Sequence, residues 1–286
     1  MKLNIKHINL TIFILLAAAP LLAGLGYALL YSFGLIGVLN NGFTLEHWQK
    51  VLTDSVFWRS MGFSFYVAFI TMSVAISLAL WAVVRWGAAF RSGALSFLIY
   101  LPLTLPATVM GFYSFQLLSK SGVLSRLGFQ MGLLNNLDAF PILLNDSWGV
   151  GIIFAHVCMA TPFFVILFTN LYHNERLSAF AELARTMGAT QDQIIWRVLV
   201  PVLLRRSFAT LVLYFIFVMG AFEIPLLLGS QSRQMVAVLT IEKLQKFNLY
   251  DIPQAYVISV VYGMIVIILV LYLLGKRQKK ELPDHA

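Results

Sequence analysis

The chain has 286 residues, of which 60% are hydrophobic and 11% are charged, and its mean hydropathy is +0.84. An ordinary soluble domain contains about 45–50% apolar and about 25% charged residues, so the composition excludes a soluble globular protein, a disordered chain and a disulfide-stabilised secreted scaffold. The 20 Lys and Arg residues exceed the 12 acids, which gives a net charge of +8. In a membrane protein such an excess marks cytoplasmic loops, and nucleic-acid binding is not expected.

Six stretches of the chain are long and apolar enough to cross a membrane as helices. A helix needs about 20 apolar residues to cross ~30 Å of hydrocarbon, and only the fifth stretch includes a charged residue, Glu223. Because the stretches are apolar all round, they predict helices and not the alternating strands of a β-barrel. The sequence therefore predicts an all-α membrane protein, a single domain over 1–286 with six transmembrane helices. The predicted spans are 8–33, 60–84, 92–119, 147–174, 207–228 and 252–275.

The distribution of cationic residues predicts the orientation of these helices. If the N terminus is cytoplasmic, 13 of the 20 Lys and Arg residues fall on the cytoplasmic side, which then carries the whole net charge. The positive-inside rule describes this asymmetry. It predicts a multi-pass protein with both termini in the cytoplasm and a basic tail, residues 276–280, at anionic lipid headgroups. A cleaved signal peptide is the alternative for the first span, whose apolar run exceeds the usual 7–15 residues.

The loop at 175–206 is long for a cytoplasmic connection and has a helical pattern of its own. Apolar residues at helical spacing predict a first helix over 178–187, with its first serine as the N-cap. Gly188 ends or bends this helix. A second helix begins with a capping-box pattern at Thr190–Gln193, and Pro201 marks where it yields or kinks before the fifth span.

The spacing of several residues within this loop carries a resemblance to a known family. The motif has three parts, separated by three and by nine residues: Glu182-Leu183-Ala184, then Gly188, then Val198-Leu199-Val200-Pro201. The loop resembles that of the permease subunits of binding-protein-dependent ABC importers, whose signature reads Glu-Ala-Ala, three residues, Gly, nine residues, then Ile-x-Leu-Pro. Leu183 replaces the first Ala, and Val stands in for both Ile and Leu. Two more segments, 220–225 and 250–253, look like the branch of polyamine, thiamine and iron(III) permeases.

The resemblance implies a fold, a function and a set of partners. The fold would be that of a type I ABC importer permease, with a coupling helix in the loop at 175–206, in the bacterial inner membrane. Such a subunit passes a small solute from an external solute-binding protein across the membrane by alternating access. Its partners are a cytoplasmic ABC ATPase dimer and a second permease subunit, which is a copy or a relative. The residues that the resemblance assigns to ATPase coupling are Glu182, Ala184, Arg185, Gly188, Ala189 and Pro201.

No catalytic or metal site is predicted in the chain itself. The Gly275-Lys276 pair is followed by arginine and lacks the phosphate-loop pattern, so we expect no cofactor on this chain and place ATP and Mg on the partner ATPase. His156 and Cys158, two residues apart in a span, point to different faces of a helix and do not predict a shared metal. The chain is expected to be a transport subunit and not an enzyme.

Glu223 is the one acid within a predicted span. A carboxylate at membrane depth faces protein or water, and Pro225 should open the helix near it. Glu223 and Pro225 are therefore candidates for the substrate path, where an acid would favour a cationic solute, and a structural hydrogen bond to a neighbouring helix is the alternative. The competing functional class is an ATP-independent secondary carrier or channel, which would need ionisable residues deep in several spans.

Overall fold

The computed structural model describes residues 5–38, 40, 42–87, 90 and 94–281. These residues form helices and turns, and one isolated bridge between Ser230 and Arg233 is the β pairing found among them. The all-α prediction is therefore confirmed. The chain divides into two compact units, one within residues 1–59 and 236–286 and the other formed by residues 60–235.

Thirteen α-helices follow one another in the described part of the chain, and they range in length from 4 residues in α9 to 32 in α3. Five helical segments of the described residues are long and apolar enough to span a membrane, one of them being the continuous segment Gln191–Met219, and there are six spans if one bent pair counts as a single span. Helices α1, α3, α7 and α13 overlap the first, second, fourth and sixth predicted spans. The helices are α1 Ile5–Ser32, α2 Glu46–Thr53, α3 Ser55–Trp86, α4 Ala94–Tyr100, α5 Ala107–Leu118, α6 Val123–Gln130, α7 Val150–Asn174, α8 Leu177–Thr186, α9 Gln191–Ile194, α10 Val200–Met219, α11 Glu223–Leu228, α12 Val236–Gln245 and α13 Asp251–Glu281.

The first unit is organised around α13, against which α1, α2 and α12 pack. Tyrosine rings join two of these helices, since Tyr31 of α1 stacks on Tyr256 of α13 with ring centroids 4.4 Å apart. The short α2 is joined to the end of α1 by the Trp48 indole N–H, which donates to the Ser32 hydroxyl at 3.3 Å. Aromatic side chains with one polar atom suit the end of a span, where apolar and aqueous surroundings meet.

The third predicted span is broken in the structure of the second unit. Helix α4 runs into a short 3₁₀ turn, Leu101–Thr104, and α5 starts after Pro106, so the segments Ser96–Thr104 and Ala107–Gln130 are bent by 101° relative to each other. The segment over the predicted span 92–119 is therefore a bent pair and not one straight helix. Pro102 and Pro106 each lack a backbone donor and restrict the residue before them, which interrupts the helical ladder although the stretch stays apolar.

A buried cluster in the second unit ties the 175–206 loop to two spanning helices. Small side chains on α3 and α7, among them Ala75, Ala79 and Ala160, let the helices approach closely, as is common in membrane bundles. Large side chains from the loop and from α7 fill the remaining space. The fully or nearly buried members of this cluster are Met72, Ala75, Ala79, Val83, Ala160, Phe164, Val165, Phe168, Leu177, Ala181, Ile194, Leu199 and Leu203.

A second buried cluster holds α11 between α5 and α7. Gly111 of α5 lies at this contact, where an added Cβ atom would be 2.9 Å from Leu227 Cδ1 and would make that side chain shift. On the other side, Ile152 of α7 reaches Gly229, just after the end of α11. The packing fixes the position of α11, and with it the position of Glu223 at its first residue.

Candidate functional site

The first helix of the 175–206 loop begins one residue earlier than predicted. Arg176 takes a left-handed conformation with φ of 49°, and α8 starts at Leu177 with Ser178 already inside its first turn. The prediction that Ser178 is the N-cap is therefore wrong. The early start places Leu177, which is completely buried, in the cluster shared with α3, α7 and α10.

Helix α8 carries two apolar faces where the sequence predicts one. Leu177, Ala181 and Ala184 point inward and pack against the buried cluster. Three other apolar residues are exposed, at i, i+3 and i+7, and therefore lie on one side of the helix. We call this set the α8 stripe; its members are Phe180, Leu183 and Met187, with 52%, 59% and 80% of their surfaces exposed.

Gly188 closes α8 with a Schellman motif. Its N–H donates to the Arg185 carbonyl at 2.9 Å, and the Ala189 N–H donates to the Ala184 carbonyl at 3.0 Å, which are the two bonds that define this motif. Gly188 has φ of +85°, a conformation that L side chains rarely adopt. A Cβ added there would meet no atom of this chain within 4 Å, so the turn needs glycine for its backbone conformation and leaves open space above it.

The capping box predicted at the start of α9 is confirmed. The Thr190 hydroxyl accepts from the Gln193 N–H at 3.4 Å, and the Gln193 side-chain oxygen accepts from the Thr190 N–H at 3.0 Å. A local sequence pattern is enough to predict this motif, because both bonds join residues three apart.

Replacing Thr190 with alanine should loosen the start of α9. Loss of an N-cap costs ~1 kcal/mol, so amide hydrogen exchange over residues 191–194 should become about fivefold faster. Thr186→Ala is the matched control, since the Thr186 hydroxyl donates within α8 and caps nothing. Equal exchange over 191–194 in wild type and Thr190→Ala would show that the box does not hold this end.

The second helix of the loop is continuous with the helix of the fifth span and forms its first part. Helices α9 and α10 are joined by a π-helical turn, Ile195–Leu199, and the apolar helical segment runs without a break from Gln191 to Met219. In the π turn the Val200 N–H bonds to the Ile195 carbonyl, five residues back. The wider turn accommodates the Pro201 ring, which would clash with the carbonyl four residues earlier in a regular α-helix.

Five of the six residues assigned to ATPase coupling, all but Pro201, lie close together around the Gly188 turn. Glu182 and Arg185 are exposed on another side of α8 from the stripe, and the Arg185 guanidinium donates to the Gln191 side chain at 3.1 Å across the turn. Ala184 and Ala189 are half-buried against the first cluster. Pro201 is half-buried farther along, beyond the π turn. The sequence singled out these residues but missed the α8 stripe, because periodicity alone does not separate a core-facing side from a second apolar side.

The candidate substrate-path residues lie at the other end of the Gln191–Met219 helix. The helical ladder stops at Met219, and α11 starts at Glu223, which is exposed, while Ile224 and Pro225 are buried. The interruption expected near the acid is present, but it precedes Glu223. Pro225 sits in the first turn of α11, where a missing N–H costs little. A helix of this length spans ~43 Å, so the structure does not bring Glu223 together with the residues around Gly188.

His156 of α7 packs inside the second unit. It is almost fully buried, and its Nδ1 lies 2.9 Å from the Ile152 carbonyl oxygen one turn earlier. Among the residues that the structure describes, no group of three or more His, Cys, Asp or Glu side chains is placed to hold a metal ion.

Comparisons with known proteins agree with this architecture. The family described as binding-protein-dependent transport system inner membrane component matches residues 75–281. The probable ABC transporter permease protein y4fN of Sinorhizobium fredii (strain NBRC 101917 / NGR234) is 30% identical over 137 residues, 46% of this chain and 23% of that protein. The chain thus matches about a quarter of the length of this relative.

Two solved structures share the fold. One is a bacterial alginate ABC transporter in complex with an alginate pentasaccharide-bound periplasmic protein, with TM-score 0.65, 16% identity, and coverage of 93% of this chain and 90% of that chain. The other is a bacterial ABC transporter involved in the import of the acidic polysaccharide alginate, with TM-score 0.67, 15% identity, and coverage of 97% and 95%. With the family match extending over most of the sequence, the chain belongs to the inner membrane components of binding-protein-dependent transport systems.

Proposed function

We propose that this ABC importer permease component passes a small solute across the inner membrane by alternating access, with energy from ATP hydrolysed on a separate chain. The observation that carries the proposal is the α8 stripe on its buried base. Phe180, Leu183 and Met187 are exposed on a helix whose adjoining face is fixed in the bundle. A stripe of this kind outside the spans is typical of a docking site for another protein.

The chemistry of the stripe suits the ATPase partner that the family resemblance implies. Burial of a large apolar side chain is worth roughly 1.5–3 kcal/mol, so three such residues can anchor a contact. Met187 adapts to an irregular pocket. Glu182 and Arg185, which are exposed on another side of α8, add opposite charges that fix orientation more than affinity. The open space above Gly188 lets a partner approach the backbone.

The Gln191–Met219 helix supports a mechanical link from this site to the membrane interior. A helix is stiff along its axis, and this one leads from the Gly188 turn to the interruption before Glu223. Displacement of the α8 end by ATPase closure would therefore reach the region of Glu223 and Pro225, where an interrupted helix can change direction. Switching between packed arrangements of helices is a recurrent basis of such transitions.

The remaining partners are proposed from the family and from the likeness to the alginate importer. These are an external solute-binding protein, which corresponds to the periplasmic protein of the similar structure, a second permease subunit and membrane lipid. ATP and Mg are placed on the ATPase dimer.

Both termini and Gly188 are proposed to face the cytoplasm, because the cationic residues then follow the positive-inside rule. In a variant without Cys158, single cysteines at Asn40 and at Gln191 should react differently with a membrane-impermeant thiol reagent added to intact spheroplasts. The Asn40 site is expected to label and the Gln191 site to label only after lysis. Labelling at Gln191 before lysis would reverse the proposed topology.

Photo-crosslinking tests the docking site directly. A photoreactive amino acid at Met187 should form a crosslink to a chain that carries a phosphate-loop motif. The matched control is the same amino acid at Phe217, which is also exposed but lies on α10, and which should give no such product. If Met187 crosslinks to no ATPase in cells that express the whole transporter, the α8 stripe is not the coupling surface.

A further inference from the structure

The two ends of the 175–206 loop are joined by an ion pair. The Arg206 Nε lies 3.1 Å from the Glu175 Oε1. Glu175 is the residue directly after α7, and Arg206 lies on α10, just beyond the fully buried Leu203. The pair therefore closes the base of the loop that carries the α8 stripe, and it connects a spanning helix to the helix that leads toward Glu223.

The joint that the pair spans is tight and strained. The chain passes from the end of α7 to the start of α8 within two residues, Glu175 and Arg176. Arg176 has φ of 49°, which is costly for a residue with a Cβ atom. Its N–H donates to the His173 carbonyl at 3.1 Å. A strained joint persists where its surroundings hold it, and here burial of Leu177 and the Glu175–Arg206 pair act on its two sides.

The position of the pair matters more than its strength. The side chains of Arg206 and Glu175 are 57% and 30% exposed, so solvent screens them and the fold does not depend on them. A push on α8 would act on this joint first. With the pair formed, the joint would be tied to α10, which also packs directly against α7. With the base open, part of the displacement is lost in bending between α7 and α8.

We infer that Glu175 and Arg206 are positioning residues for energy coupling: their ion pair clasps the base of the 175–206 loop so that movement of α8 is transmitted to α7 and α10 as one body. The inference rests on the proposed function, since it presumes an ATPase that moves α8. It predicts variants in which ATP is still bound and hydrolysed but the membrane helices respond less.

The test measures nucleotide-driven movement near Glu223 and needs no known solute. A single cysteine replaces Leu226, an exposed residue of α11, in a variant without Cys158. The purified complex with its ATPase is labelled with a thiol reagent, with and without a non-hydrolysable ATP analogue. In the otherwise wild-type complex, the rate at which this cysteine is labelled should change when the nucleotide is added. Arg206→Glu and Glu175→Arg should each reduce this change roughly two- to fivefold, the range open to a pair of this exposure.

Two controls separate the clasp from a general effect of charge. Combining Glu175→Arg with Arg206→Glu should restore the change, because the pair is re-formed in reverse. Arg205→Glu makes the same substitution at the neighbouring residue, which takes part in none of the ion pairs found among the described residues, and should behave as wild type. Basal ATP hydrolysis should be equal in all variants.

Each of the following outcomes would contradict the inferred role of the Glu175–Arg206 pair. Wild-type movement in both single variants, or a double variant no better than the singles, excludes a role for the pair. If Arg206→Glu alone reduces the nucleotide-dependent change in labelling rate, and Glu175→Arg leaves it normal, Arg206 binds another ligand, such as a lipid phosphate. If no ATPase accompanies the purified chain, the proposed function fails, whereas an ATPase with wild-type variants leaves that function standing and removes only the clasp.

Discussion

Valine at position 188 is expected to lower solute uptake at least about tenfold while the protein still inserts normally, because a β-branched residue at φ of +85° costs more than ~1–2 kcal/mol. The Schellman motif would open, and α8 would no longer be held at a fixed angle to α9. ATP hydrolysis on the partner should continue but lose its dependence on solute. The measurement is uptake and ATP hydrolysis by the same reconstituted complex.

Asparagine at the same position is the control for backbone conformation. Asparagine tolerates the left-handed region, and a Cβ atom at residue 188 would meet no atom of this chain within 4 Å. Gly188→Asn should therefore keep the turn and much of the uptake. Equal loss in both variants would mean that a partner fills the space above Gly188. Full coupling in Gly188→Val would remove the turn from the mechanism.

Glutamine in place of Glu223 is expected to reduce uptake of a cationic solute about tenfold or more at low concentration, on the hypothesis that the carboxylate lines the path. Glu223 is exposed at the start of α11 and takes part in none of the ion pairs found among the described residues. If Glu223 and a bound cation form a charge pair that is shielded from water, truncating one partner would cost ~2–5 kcal/mol of binding free energy. Glu223→Asp keeps the charge and should retain most of the uptake.

The assay compares radiolabelled cationic and neutral solutes over a range of concentrations, with membrane abundance and basal ATP hydrolysis as controls. Unchanged uptake by Glu223→Gln at every concentration would assign the residue to structure. The preference for a cationic solute would be withdrawn with it.

Local patterns in the sequence predicted the motifs whose bonds join near neighbours. The capping box of Thr190 and Gln193 and the turn at Gly188 are of this kind, and both are present. The fold class followed from composition, because chains with this much apolar surface have few alternatives in a membrane.

Features that depend on packing were not predictable in the same way. Apolar continuity over 92–119 suggested one helix and concealed the break at Pro102 and Pro106, whose effect is on the backbone and not on hydropathy. The sequence predicts that the fifth span begins at residue 207, because Arg205 and Arg206 precede it, yet the helical segment extends back to Gln191, since exposed arginines can continue a helix beyond the apolar region. The pair between Glu175 and Arg206 joins residues far apart in sequence.

The central claim is tested most directly by purifying this chain and measuring whether an ATPase, and its ATP hydrolysis, co-purifies with it. The tagged protein is extracted from membranes in mild detergent, the co-eluting chains are sequenced, and hydrolysis is compared between wild type and Leu183→Glu, with Leu183→Met as the apolar control. A chain with a phosphate-loop motif should elute with wild type and with Leu183→Met. The amount that elutes with Leu183→Glu should be about tenfold lower, because this substitution places a charge in the α8 stripe. A pure, ATPase-free permease that takes up solute when driven by an ion gradient would contradict the account and identify a secondary carrier.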